Sequence, residues 1–217
     1  MSLLRSNDFR PPLLSNMNSE ETLVEGGRVD ANAVFTFSRD DMRRTTISLR
    51  GYGPYYSVDS DMGYSRTKIS RYGESVPLAV SETRGILPDK ITFAGQERQR
   101  LRSWLKFSTL TLFPVTFEVD GKTYIWRSTA DGKLSLHTSS SADSSIAWFT
   151  ASQAVINNGT TITQVAHLTL RPEAIEIQDV AIISFLILEH KSRISSPPPQ
   201  GSDGGQYIYY CESAILA

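Results

Sequence analysis

Val180-Ala181-Ile182-Ile183-Ser184-Phe185-Leu186-Ile187-Leu188 is apolar throughout but for one serine. Wound as a helix, it has no polar stripe to turn toward water, so it must be enclosed on its whole circumference. A bilayer-spanning helix needs about 20 apolar residues, and this run is far shorter, so protein has to supply the enclosure. Periodicity alone leaves a buried strand open, because the run is short and β-branched. Its flanks favour the helix. Arg171-Pro172 precedes it, and proline suits a first helical turn. Glu173, Glu176 and Asp179 lie toward the expected N-terminus, and Lys191 and Arg193 toward the C-terminus, both in accord with the helix dipole. A helix over about 173–193 is therefore expected, and it must be buried.

Upstream, the chain reads as short strands. Val34-Phe35-Thr36-Phe37 alternates and is β-branched and aromatic; residues 43–49, 55–58, 64–69, 76–80 and 90–93 follow with polar turns between them. Val115 to Val119 and Lys122 to Trp126 flank Asp120-Gly121. Asp-Gly between two alternating runs signals a hairpin, because a type I′ turn needs positive φ at both central residues. Asp131-Gly132 and Asn158-Gly159 repeat the signal before residues 133–137 and 160–170, and Ser145 to Phe149 is a further strand. Repeated short strands with close turns suggest an antiparallel barrel or sandwich. Gln96 to Lys106 differs. It lacks β-branched residues, and Leu101, Trp104 and Leu105 share one face at helical spacing. Residues 1–31 are polar and read as a tail. Residues 196–217 read as a Pro/Gly-rich linker and C-terminal tail, leaving one domain over 32–195.

Composition narrows the function. Of 217 residues, 22 are Lys or Arg and 23 Asp or Glu, a net charge of −1, so no global attraction to nucleic acid is expected. The single cysteine, Cys211, excludes an intramolecular disulfide and a thiol-rich metal site. His137, His167 and His190 form no metal-ligand spacing, and no GxSxG elbow or P-loop is present. No catalytic residue, metal or cofactor is expected. The N-terminus lacks a signal-peptide core and no run is long enough to span a membrane, so an intracellular, cytoplasmic protein with peripheral membrane contact is expected.

One charge asymmetry stands out against this neutral background. Between residues 66 and 106, Arg66, Lys68, Arg71, Arg84, Lys90, Arg98, Arg100, Arg102 and Lys106 outnumber Glu74, Glu82, Asp89 and Glu97. Brought together, Arg66, Lys68, Arg71, Lys90, Arg98, Arg100, Arg102 and Lys106 would hold phosphate groups through charge-assisted hydrogen bonds or favour an anionic membrane surface. If the fold disperses them, they are solvated surface. Tyr52, Tyr55, Tyr56, Tyr64 and Tyr72 are a second feature, read either as stacking platforms or as cross-strand packing.

The order of these pieces resembles the fungal family catalogued as domain of unknown function 6593. FTFSRDD at 35–41, LPDKITF at 87–93, RSWLK at 102–106, FPVTFEVDGKTYIWRST at 113–129, SIAWF at 145–149 and LRPEAIEIQDVAIISFLILEHKSR at 170–193 carry the resemblance. That family is similar to the tubby/scramblase/LURP-one superfamily. The resemblance implies a mainly β fold, a closed antiparallel barrel of about twelve strands around a hydrophobic C-terminal helix. It implies no catalytic residues. Tubby-type domains bind phosphoinositides through basic side chains, but no position here matches theirs residue by residue. The expected function is a binding module for phosphoinositide or other anionic headgroups. The alternatives are a protein-interaction domain using the terminal tails, with Tyr207, Tyr209 and Tyr210 as its sticky element, and an enzyme with a site at the barrel mouth.

Overall fold

In the computed structural model, residues 32–195 are described except for 64, 109–110, 130–132 and 158–159. The tails expected at 1–31 and 196–217, and the Asp131-Gly132 and Asn158-Gly159 turns, lie outside the described residues. The strands are β1 Ala33–Phe37, β2 Thr45–Leu49, β3 Gly53–Ser60, β4 Arg66–Arg71, β5 Ala79–Glu82, β6 Lys90–Phe93 and β7 Gln99–Arg100, then β8 Val115–Val119, β9 Lys122–Ser128, β10 Leu134–Thr138, β11 Ser141–Thr150, β12 Gln153–Asn157, β13 Thr160–Gln164 and β14 His167–Leu170. Three helices join them: α1 Leu101–Trp104, α2 Pro172–Ile175 and α3 Gln178–Ser195.

The fold is mainly β. Twelve strands form one antiparallel sheet in the order β7-β6-β5-β4-β3-β2-β1-β14-β11-β10-β9-β8, and β12 and β13 form a separate hairpin. Two runs of sequential hairpins, β1 to β7 and β8 to β11, meet on either side of β14. The β8–β9 turn is as the sequence demands: Asp120 has φ 49° and Gly121 φ 76°, the two left-handed residues of a type I′ turn.

Alternate residues supply one buried face. Phe35, Ile47, Tyr56, Ile69, Ile91, Phe117, Trp126, Leu136 and Leu168 have no exposed surface, one from each of nine strands. Against this face lies α3, in which every residue from Ala181 to Glu189 is buried. Phe185 meets Phe37 of β1, Trp126 of β9 and Phe149 of β11, with ring centroids 5.7, 6.0 and 4.7 Å apart. Ser184, the lone polar residue of the apolar run, accepts a hydrogen bond from the Trp126 indole N–H at 2.9 Å and donates to the Ala181 carbonyl at 3.0 Å. A buried indole N–H is thereby satisfied without disturbing the helix.

Three expectations are corrected. The strand ladder is not closed: it ends at β7 and β8. After two paired residues the chain leaves the ladder so that Leu101 and Leu105 can be buried. In backbone pairing an isolated bridge between Lys106 and Thr116, with N–O distances of 2.8 and 3.0 Å, links this region to β8, and the Lys106–Glu118 ion pair and the Trp104–Phe117 ring contact join the same two segments. The helix expected at 96–106 shrinks to the single turn of α1, because Gln99 and Arg100 pair with Ile91 and Lys90 of β6, a tertiary contact overriding local propensity. The helix expected over about 173–193 is divided. Pro172 does open a helical turn, but that turn is α2, and α3 starts at Gln178.

Ser184→Ala leaves the Trp126 N–H unpaired in the core and is expected to cost about 1–3 kcal/mol. Phe185→Ala removes a fully buried ring and is expected to cost about 3–5 kcal/mol. Urea unfolding followed by tryptophan fluorescence measures both.

Candidate functional site

The β4–β7 corner of the sheet has a face turned away from the core. Along β4, Thr67 and Ile69 are more buried than Arg66 and Lys68, which are exposed. Strand register carries this side across the corner: Arg66 pairs with Glu82, Glu82 with Lys90 and Lys90 with Arg100. One row therefore runs Arg66–Glu82–Lys90–Arg100, and Lys68 sits in the next row opposite Val80. Arg98, two residues before Arg100, pairs with Glu82. Arg84, just past β5, reaches the same carboxylate at 3.3 Å. Glu82 is thus set among Arg66, Arg84, Lys90, Arg98 and Arg100, while Asp61 of the β3–β4 loop interacts with the Arg66 charge and Asp59 stands opposite Lys68. Neither Lys90 nor Arg100 forms an ion pair with another described residue, so the cluster keeps a cationic excess.

Of the eight basic residues singled out from sequence, five share this corner: Arg66, Lys68, Lys90, Arg98 and Arg100. Arg71 does not. It falls on the inward parity of β4 and pairs with Asp179 of α3 at 2.7 Å. Arg102 lies on α1, its guanidinium 4.8 Å from the Phe107 ring centroid. Lys106 faces β8 and pairs with Glu118 at 2.7 Å. Arg84 belongs in their place; its signal was its position within the same basic-rich segment.

The tyrosines divide as well. Tyr55 and Tyr56 pack edge-on, 5.0 Å apart, and both contact Phe35, whereas Tyr52 and Tyr72 are exposed. Tyr64 lies outside the described residues.

Polar groups also gather at both ends of α3. At its N-terminus Tyr56 donates to Asp179 Oδ1 at 2.5 Å, Gln178 Nε2 donates to the Tyr56 hydroxyl at 2.7 Å, and Arg71 takes Asp179 Oδ2. Burial, then the Asp179 charge, raises the Tyr56 pKa so far that the phenol stays neutral. Each of these groups has a partner, so the cluster fixes the helix to β3 and β4.

At the C-terminal end Arg193 pairs with Glu189 at 2.9 Å and with Asp40 at 2.5 Å, and Lys191 pairs with Asp89. Burial pushes the Glu189 pKa up, and Arg193 opposes that shift. A small cleft here is lined by Met42, Arg43, Thr67, Ser81, Leu186 and His190. Burial, then the Arg43 charge, lowers the His190 pKa. The unfolded chain therefore takes up this proton first as pH falls, and the native state loses stability relative to it.

The cluster at the α3 N-terminus generates one expectation. Asp179→Ala strands Arg71 and Tyr56 beside the core, and the expected loss is about 3–5 kcal/mol, read by denaturant unfolding. The C-terminal end generates another. The stability difference between the native chain and His190→Gln should be constant above pH 6.5 and should shift below it, with the native chain losing stability more steeply. Unfolding midpoints across a pH series measure this.

Residues 40–194 match the family of unknown function DUF6593, and the chain belongs to that family. No curated protein matches it. Among solved structures, one of an Arabidopsis thaliana protein aligns at 10% identity, covering 76% of this chain and 93% of that one with a TM-score of 0.44. Likeness at that level carries no argument about ligand or mechanism.

Proposed function

We propose that this DUF6593 protein is a binding module for phosphate-bearing anionic headgroups, held at the cationic corner of β4–β7. One observation carries the reading: strand register brings Arg66, Lys90 and Arg100 into a row, with Arg84 and Arg98 beside it, against the two counter-charges Glu82 and Asp61. Guanidinium groups on neighbouring strands present forked N–H donors that suit phosphate oxygens. The corner is a surface rather than a cavity, which suits an exposed headgroup better than a substrate that must be desolvated for chemistry.

The same reading extends to the architecture. The sheet wraps α3 as a tubby-like barrel with α3 as its central helix, and the Lys106–Thr116 bridge spans the gap between β7 and β8. Its support is the burial of every residue from Ala181 to Glu189 of α3 and the contacts of α3 with β1, β3, β4, β9 and β11. A barrel filled in this way leaves little interior volume for a substrate. The protein acts as a peripheral, cytoplasmic-side binder.

Titration calorimetry with a soluble inositol polyphosphate tests the reading. Binding is expected to weaken with added salt. Arg66→Glu combined with Arg100→Glu is expected to weaken it by roughly tenfold or more, since a charge-assisted hydrogen bond contributes about 1.5–3 kcal/mol. Lys106→Glu, away from the corner, is expected to change little. Equal affinity for the native chain and the double variant would overturn the proposal.

A further inference from the structure

The cationic corner borders an end of the sheet with a different character. The loop between β3 and β4 and the loop between β5 and β6 leave the sheet side by side, joined by a 2.8 Å hydrogen bond from the Thr83 N–H to the Ser65 carbonyl. Their tips are apolar and in water: Met62 is 93% exposed, Ile86 fully exposed and Leu87 60% exposed. Scattered exposed apolar residues are ordinary, but these stand on two adjoining loops, next to the strand ends that carry Arg66, Glu82 and Lys90.

The loop bearing Ile86 and Leu87 is also braced. The Arg84 N–H donates to Asp89 Oδ1 at 3.0 Å, and Asp89 pairs with Lys191 of α3. Both feet of the loop are therefore held, and its tip is presented at little further cost in chain entropy.

We infer that Met62, Ile86 and Leu87 form an insertion surface, entering the apolar boundary of an anionic bilayer while Arg66, Arg84, Lys90, Arg98 and Arg100 engage its headgroups. The inference rests on the headgroup-binding reading above and adds to it a lipid surface as the source of the headgroup, with a stated depth and orientation. Charge complementarity chooses the occupant. The opposite end of the sheet also exposes apolar residues, Tyr52, Tyr72 and Val76, but its turns carry Arg50 against Glu74 and Glu97, with no cationic excess to draw an anionic surface. At the Met62–Ile86 end the apolar tips adjoin five cationic side chains set against Glu82 and Asp61, a net cationic field of the kind that holds peripheral proteins on anionic membranes.

Co-sedimentation of the full chain with phosphatidylcholine vesicles, with and without phosphatidylserine, provides the test. The native chain is expected to be retained only by the serine-lipid vesicles. Met62→Ser, Ile86→Ser and Leu87→Ser together are expected to lower retention tenfold or more while leaving affinity for a soluble inositol polyphosphate unchanged. Tyr52→Ser with Val76→Ser is expected to leave both unchanged. In a Cys211→Ser background, a nitroxide at Ile86→Cys should become shielded from an aqueous relaxation agent on vesicle binding. Full retention of the triple serine variant, or a nitroxide that stays accessible to water, would overturn insertion and leave headgroup binding standing. Loss of self-association or of a protein contact in the triple variant, with no change in vesicle retention, would overturn it likewise. Failure to bind either the vesicles or the soluble polyphosphate would remove the underlying reading as well.

Discussion

A helix that is apolar around its whole circumference is the constraint from which this structure follows. From Ala181 to Leu188 only Ser184 interrupts the apolar surface, and its hydroxyl is used by Trp126 and by its own helix. Such a helix has to be shielded from water, and side chains from both runs of hairpins pack or bond against it, Phe37, Tyr56 and Arg71 from one and Trp126 and Phe149 from the other. The requirement also explains why polar groups crowd at its two ends. Tyr56, Arg71 and Gln178 gather about Asp179 where α3 begins, and Asp40, Asp89 and Glu189 pair with Lys191 and Arg193 where it ends. In between, every residue from Ala181 to Leu188 is buried.

The proposed binding surface lies on the opposite side of that constraint. A strand exposes every second residue, so a sheet whose inner face is committed to α3 has its outer face free for function. On β4 the two roles sit in adjacent residues. Ile69 faces the core, Lys68 faces outward, and Arg71, one parity step away from Lys68, is drawn into holding the helix. Residue type did not separate these arginines and lysines; strand parity and register did.

That division marks what the sequence could convey. The apolar run at 180–188, its flanking charges, the Asp120-Gly121 turn and most strand positions were legible, because each depends on local chemistry that no distant contact reverses. The short helix at 96–106 was misread beyond one turn, since pairing with β6 decides the conformation of Gln99 and Arg100 and leaves no local trace. Five of the eight basic residues lie at one corner of the sheet. Arg71 is claimed by Asp179, far along the chain, Lys106 by Glu118 across the bridge to β8, and Arg102 by the nearby Phe107 once α1 has shrunk to one turn, so none of these fates was legible. The apolar tips at Met62, Ile86 and Leu87 had no periodic signal, because isolated residues in turns have no period.

The placement of β14 has a consequence for how the chain is made. Within each run of hairpins, every strand pairs with its neighbour in sequence, so both can form early from local contacts. Neither run can bury its apolar face by itself, for β14 is the strand that bonds to β1 and β11 alike, and α3 follows directly after it. During synthesis Phe35, Ile47, Phe117 and Trp126 therefore remain uncovered until residues 167–195 have left the ribosome. A nascent chain stalled or cut before that point carries two half-sheets whose apolar faces are open to other chains, the kind of species that aggregates.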